Sequence, residues 1–395
     1  MRRVSIASSI RKTRPTGKIV AVVLTIGTAV ILLGLSAITV PFPKTLERAH
    51  HFWEQSNGLG MMRYLEQRTF AFAIRQNCEF QKLFQPKSTN MNAKFGCDAH
   101  AGAAEYKLAG YTYRNGLKPY NTFGPYLNFS SRDWNSYPAI KLDKTGLPMF
   151  MLHGYGHEQP VTMANFALSM YGKYLEGDKS SLKKFQDATA KLLVLQNEDG
   201  AFRYEYEYQY YLLEEPYKPG WVSGLAQGTA LSVFARAYHK EPNPKYLFAG
   251  ERALKFMVVP VENGGVMQTM AALDPALNKD IFFDEYPATP SAYTLNGFMF
   301  TLLGIYDWSQ IPSEQQQHSA ELFRAGVSTL KDILHYYDLG AFTTYDLAHL
   351  TYHHAPVMAG WYHGTHITLL HALASITSDK TLAEYEKSWT AYVEN

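Results

Sequence analysis

The sequence has 395 residues, 46% hydrophobic and 18% charged, enough to bury one large core or two smaller ones. A formal net charge of +2 gives no global case for nucleic acid, and much of the basic surplus sits in the segment ending at Lys18. No phosphate loop, dinucleotide fingerprint or Gly-x-Ser-x-Gly elbow is present, and Gly154-Tyr155-Gly156 lacks the strand and acidic partner a fingerprint needs.

In chain order, Arg2, Arg3, Arg11, Lys12, Arg14 and Lys18 precede an uncharged apolar run from Ile19 to Val40. That run is long enough to span a bilayer. The positive-inside rule predicts a cytosolic tail over 1–18, a single membrane anchor over 19–40, and everything later outside the cytosol. The body would then face a bacterial periplasm or a Golgi lumen. Ser36 and Ala37 also suit a cleaved signal peptide, but the run is longer than a usual signal core. A Cys78–Cys97 disulfide is permitted in such a compartment, as are two buried thiols. Asn128-Phe129-Ser130 is a glycosylation sequon.

Residues 44–78 read as helix and 84–146 as loop, so 41–145 forms a helical and loop-rich segment before a body over 146–395. Helical periodicity predicts helices over about 180–196, 221–238, 243–256, 291–308, 315–336, 357–376 and 380–393. Leu182, Phe185, Ala188, Leu192 and Leu195 form the apolar stripe of the first, which Gly200 follows as a stop. Alternation of Tyr204, Tyr206, Tyr208 and Tyr210 with Glu205 and Glu207 predicts an inserted β-hairpin. Successive amphipathic helices without alternating strands point to an all-α body. A solenoid of helix pairs and an (α/α) toroid both fit. The toroid better explains aromatic loops before helices, and 14% aromatic content suits stacking on sugar rings.

Three loops gather the reactive side chains. The first ends in Lys218-Pro219-Gly220-Trp221, ahead of Gln227, and also contains Arg203. The second is Asp284-Glu285-Tyr286-Pro287, ahead of Asn296. The third holds Tyr345-Asp346-Leu347-Ala348-His349 and then Trp361-Tyr362-His363-Gly364-Thr365-His366. Pro287 and Pro290 place the acids on an extended loop at a helix mouth. Each residue also has a structural reading: Asp284 can cap a turn, and buried tyrosines pair their hydroxyls. Six of fourteen histidines lie between His349 and His371. The His349/His353 and His363/His366 spacings raise zinc, but no His-Glu-x-x-His run or nearby cysteine completes a site. The histidines are therefore assigned hydrogen bonding or charge neutralisation, with no metal or cofactor.

The blocks "EPYKPGWVSGLAQGTALSVFARAY", "FFDEYPATPSAYTLNGFMFTLLGIYD" and "TTYDLAHL…APVMAGWYHGTHITLLHALASI", in this order, resemble the C-terminal domain of the glucuronyl C5-epimerases. "GLPMFMLHGYGHEQPVTMANFALSMYGKYL" is a weaker upstream block of the same resemblance. Animal members carry a β-sandwich between it and the Pro-Gly-Trp block, where this chain has only a short helical stretch. The resemblance implies an (α/α) toroid and an isomerase converting D-glucuronate to L-iduronate within heparan-type polysaccharide. Its functional positions fall on Glu285, Tyr286, Asn296, Tyr345 and Tyr362. The family has arginine after Tyr-Asp-Leu, holding the substrate carboxylate; here that position is Ala348.

Inverting C5 of a uronate requires an acid and a base on opposite ring faces, and neutralisation of the adjacent carboxylate. Glu285 and Tyr362 are the expected pair, Tyr286 and Tyr345 orient the ring, and Asn296 binds sugar or carboxylate. Trp221, Gln227, His349, His363 and His366 complete the expected binding set. With Ala348 offering no charge, the missing cation is expected from Lys218 or Arg203, with a histidine as the alternative. A polysaccharide lyase and an inactive glycan-binding protein are the competing functions. The expected partners are a uronate polysaccharide and the membrane, without nucleic acid, and a homodimer is an allowed assembly.

Overall fold

A computed structural model of the chain describes Arg63, Leu65, Gln67 and Arg68, and residues 118–394 apart from 341, 342, 354, 355, 358, 360 and 361. The apolar run at 19–40 and both cysteines lie outside the described residues. Among the described residues no helix is long and apolar enough to cross a membrane.

The body is mostly helical, with small antiparallel sheets. A meander comes first, β1 (Ile140–Leu142), β2 (Pro148–Leu152) and β3 (Tyr155–His157). Asp143 makes the first turn by accepting from the N–H groups of Thr145 and Leu147 at 2.7 and 3.0 Å. The sequence reading placed no strand here. Pro-Met-Phe-Met-Leu is apolar without alternation, so it carries no period of two.

Helices α1 (Pro160–Leu175) and α2 (Ser181–Leu195) follow, then the hairpin strands β4 (Arg203–Tyr204) and β5 (Trp221–Val222). Next come α3 (Gly224–Lys240), α4 (Pro244–Met257), and a strand pair β6 (Met267–Thr269) and β7 (Ile281–Phe283). The chain continues as α5 (Leu295–Ser309), α6 (Gln316–Tyr337), α7 (Tyr362–Thr377) and α8 (Lys380–Glu394). Three predicted helix starts move inward, the one predicted at 357 falling at Tyr362. Trp221 and Val222 are spent on the hairpin, and residues 290–294 form the turn before α5.

Burial sorts the helices into two layers. Helices α1, α3, α5 and α7 are covered around most of their circumference, whereas α2 and α6 bury one stripe. Each inner helix packs on the next, α1 on α3, α3 on α5, α5 on α7, and each is backed by the outer helix that follows it. Glycines allow the closest of these approaches. A Cβ on Gly304 would lie 1.9 Å from the Gly228 carbonyl oxygen, so the α3 and α5 backbones touch.

The segment from Lys118 onward belongs to the same core, since Tyr126, Phe129 and Trp134 are buried with the helices. Its anchor is ionic. Arg236 on α3 and Asp307 on α5 form a fully buried pair at 2.7 Å. The guanidinium also donates to the carbonyls of Gly124 and Ser232, and the Tyr120 hydroxyl donates to Asp307 at 2.7 Å. Removing one partner would leave the other charge buried and unpaired. Asp307→Ala is therefore expected to cost about 3–5 kcal/mol in urea denaturation.

Candidate active site

The strand pair β6–β7 delivers Asp284 and Glu285 to the N-terminal ends of α3 and α5. The Asp284 backbone bonds to Val266 on one side and accepts from the Gly224 N–H at 2.7 Å on the other. These two adjacent acids serve different ends. The Asp284 side chain turns into the 288–293 turn, accepting from Ser291 at 2.5 Å and from the Gln268 amide. Burial raises its pKa to about 7, with those two donors opposing. Its role is to hold the turn, the structural reading that the sequence allowed.

Glu285 instead lies over the first turn of α5, where the Asn296 amide donates to its Oε2 at 3.3 Å. Gly297 makes room for it: a Cβ there would sit 2.4 Å from Oε2 and 2.6 Å from the Glu285 Cβ. The N-terminus of a helix favours a carboxylate, yet desolvation wins here. Burial raises the Glu285 pKa to about 7, with Tyr286 and Asn296 opposing and the Asp346 charge adding to the rise. A carboxyl held near neutrality can exchange a proton in either direction.

The loop carrying Tyr345 crosses the same helix mouth. Its carbonyl accepts from the Leu295 N–H at 3.1 Å, satisfying one of the orphan donors of α5, and the Leu347 N–H donates to the Ala292 carbonyl at 2.7 Å. Tyr345 and Tyr362, the first residue of α7, bring their rings to 5.0 Å. Tyr286 and Tyr345 both feel the charge of Glu285 and the neighbouring Tyr362, and burial holds both phenols well above their ordinary range. Glu285, Tyr286, Asn296, Tyr345 and Tyr362 are thus brought together. The N-terminal ends of α3, α5 and α7 meet around them, a backbone environment that favours anions.

The hairpin between β4 and β5 forms an aromatic wall beside this group. Alternation along it is as the sequence indicates: Tyr204, Tyr206 and Tyr210 are buried, and Glu205, Glu207 and Gln209 are exposed. Trp221 stacks on Tyr204 at 3.9 Å, and Tyr210 stacks on Tyr286 at 4.6 Å.

Several predicted binding residues are placed elsewhere. Arg203 shares its strand face with Val222, opposite to the Tyr204–Trp221 face, and is held by Asp199 at 2.5 Å and the Gly220 carbonyl. Lys218 is exposed and paired with Glu207 at 3.0 Å. Neither cation reaches toward Glu285. Gln227 spends its amide on the backbone of Gly200, Phe202 and Ala253. The histidines are buried structural groups. His363 and His366 share the Thr343 hydroxyl at 2.9 Å each, His363 also meets the Trp389 carbonyl, and His349 pairs with Gln67 at 2.5 Å. Burial lowers His349 and His363 to about 4 and pushes His366 well down, so all three are neutral at pH 7. The expectation of a loop cation or a histidine facing the carboxylate therefore finds no support in this geometry. Among the described residues none of the ion pairs involves Glu285 or Asp346, and no group of three or more His, Cys, Asp or Glu is arranged to hold a metal.

Two contributors were given no role in the sequence reading. Asp346 is buried, and its carboxylate accepts from the Ala348 N–H at 3.1 Å and from the Tyr211 hydroxyl at the hairpin tip. Burial raises it to about 6. Gly297 is the second. Its only signal was a small residue two places after the helix start. Because Lys218 is a solvent-facing pair, Lys218→Ala is expected to leave turnover within about twofold of wild type, as surface ion pairs are weak.

A near-neutral buried carboxyl, a tyrosine pair and an aromatic wall thus share one helix mouth. Residues 196–391 match the family model described as D-glucuronyl C5-epimerase C-terminus, and this part of the chain belongs to that family. The D-glucuronyl C5-epimerase of Caenorhabditis elegans is 37% identical over 185 residues, 44% of this chain and 29% of that protein. An uncharacterised protein of Methanocaldococcus jannaschii is 28% identical over 190 residues, 48% of this chain and 56% of that one. The chain thus spans less than two thirds of either relative. A polysaccharide lyase structure is similar at a TM-score of 0.41 and 12% identity, over 84% of each chain.

Proposed function

We propose that the chain is an isomerase inverting C5 of D-glucuronate residues in a heparosan-type polysaccharide, giving L-iduronate. The observation that carries this reading is the placement of Glu285, buried with a pKa near 7, within electrostatic reach of the Tyr286, Tyr345 and Tyr362 group. In the forward step the Glu285 carboxylate takes the C5 proton, and the electrons of that C–H bond form an enediolate with the uronate carboxyl. Tyr362 returns its own proton to the opposite face of C5, and both groups re-equilibrate with solvent. Tyr286 and Tyr345 orient the ring, and Asn296 holds Glu285 toward it. The inner helices with their outer partners form part of an (α/α) toroid, and Trp221 lines the groove it surrounds.

The N-terminal basic segment and the apolar run to Val40 support a single-pass anchor with this body outside the cytosol. A reporter fused after Asn395 should then be active only in the non-cytosolic compartment; cytosolic activity would refute the topology. Chemistry is tested by incubating the chain with heparosan in heavy water. Deuterium at C5 is the expected result. Ultraviolet absorbance from an unsaturated uronate would instead indicate elimination at C4.

A further inference from the structure

An enediolate places a second negative charge beside the uronate carboxylate, so a donor must face it. The predicted cations, Arg203 and Lys218, are committed elsewhere. The hairpin tip carries a group the mechanism has not used. Tyr210 is 2% exposed and its ring lies flat on Tyr286 at 4.6 Å. Its hydroxyl is buried and makes no well-formed hydrogen bond. The Thr294 and Tyr211 side chains lie within weak hydrogen-bonding range of it, the Asp346 charge acts on it, and it in turn acts on Tyr345. A poorly met buried hydroxyl costs stability, on the order of 1–3 kcal/mol. Such a group, stacked on Tyr286 and close to Tyr345, is a donor available to a ligand oxygen.

Tyr210 also explains Ala348. Tyr210, Ala292 and Ala348 form one small buried cluster, with Ala348 fully enclosed. A long side chain at 348 would need the volume that the Tyr210 ring fills.

We propose that the Tyr210 hydroxyl binds the substrate's uronate carboxylate, a specificity role supplied by the hairpin rather than by position 348. Burial and the Asp346 charge hold this phenol far above its ordinary range, so it stays a donor. The hairpin tip is secured by Tyr211 on Asp346 and by Tyr217, which donates to the Pro287 carbonyl at 2.9 Å. Binding therefore requires the hairpin tip to shift and open this hydroxyl to the carboxylate. The epimerase reading supplies the substrate class, and the test separates the two claims.

The full chain is titrated with heparosan and with carboxyl-reduced heparosan, following tryptophan fluorescence. Wild type should prefer the carboxylated polymer by about 10- to 100-fold, the range for a hydrogen bond to a charged group. Tyr210→Phe, which keeps the ring, should abolish that preference while changing binding of the reduced polymer by less than about twofold. In the Tyr210→Ala background, Ala348→Arg should restore the preference through its guanidinium, and this pair decides the matter if Tyr210→Phe does not fold. Equal binding of both polymers by wild type, a preserved preference in Tyr210→Phe, or equal weakening toward both polymers would overturn the proposal. A wild type that prefers the carboxylated polymer but puts no deuterium at C5 would refute the epimerase reading and leave Tyr210's role standing.

Discussion

Glu285→Gln and Tyr362→Phe should each lower turnover by about 100-fold or more, the scale of losing a general acid or base. The two substitutions keep shape and remove only the titratable proton, so both proteins should remain folded. Glu285 adds a pH signature. As the base it works only when ionised, so the forward rate should rise as pH passes through about 7. Its effect on stability has the opposite sign. The folded pKa of about 7 lies above the unfolded value near 4.3. The stability tied to the protonated group is therefore complete below about pH 4 and lost as pH rises through about 7. Glu285→Gln should then melt higher than wild type at pH 8 while being nearly inactive. A variant that keeps activity, or one that is inactive because it is less stable at pH 8, contradicts the assignment.

Gly297→Ala should be nearly as damaging. The added methyl would lie 2.4 Å from Oε2 and 2.6 Å from the Cβ of Glu285. The second contact involves an atom fixed to the backbone, so rotating the carboxyl alone does not relieve it. Glu285 and its loop must move, and a misplacement of about 1 Å costs about 100-fold in rate. The helix itself gains, since alanine is favoured over glycine by about 1 kcal/mol in a helix interior. The expected result is therefore native circular dichroism with turnover down about 100-fold. Turnover near wild type would mean that the position of Glu285 is not set by this helix.

The outer helices and the site loops were legible in the sequence for different reasons. Helices α2 and α6 carry one buried stripe each, and Phe185, Leu192, Phe323 and Leu330 announce it by spacing. The hairpin was legible because its tyrosines alternate with exposed acids. Glu285, Tyr286, Asn296, Tyr345 and Tyr362 came from the motif resemblance, and the structure brings them to one place. What failed were the side-chain directions expected of Arg203, Lys218 and the histidines. Arg203 and Tyr204 are neighbours in sequence but sit on opposite faces of a strand, and only the register with Trp221 and Val222 decides which faces the site. His363 and His366 looked available because local spacing cannot reveal that Thr343 and Trp389 enclose them. The Arg236–Asp307 pair joins helices 71 positions apart, a contact that periodicity does not encode.

The most direct test of the central claim is isotope exchange at C5 by the full chain. With heparosan in heavy water, wild type should place deuterium at C5 and generate iduronate, and Glu285→Gln should do neither at a measurable rate. Absence of C5 deuterium in a wild-type protein that binds heparosan, or equal exchange in Glu285→Gln, would contradict it.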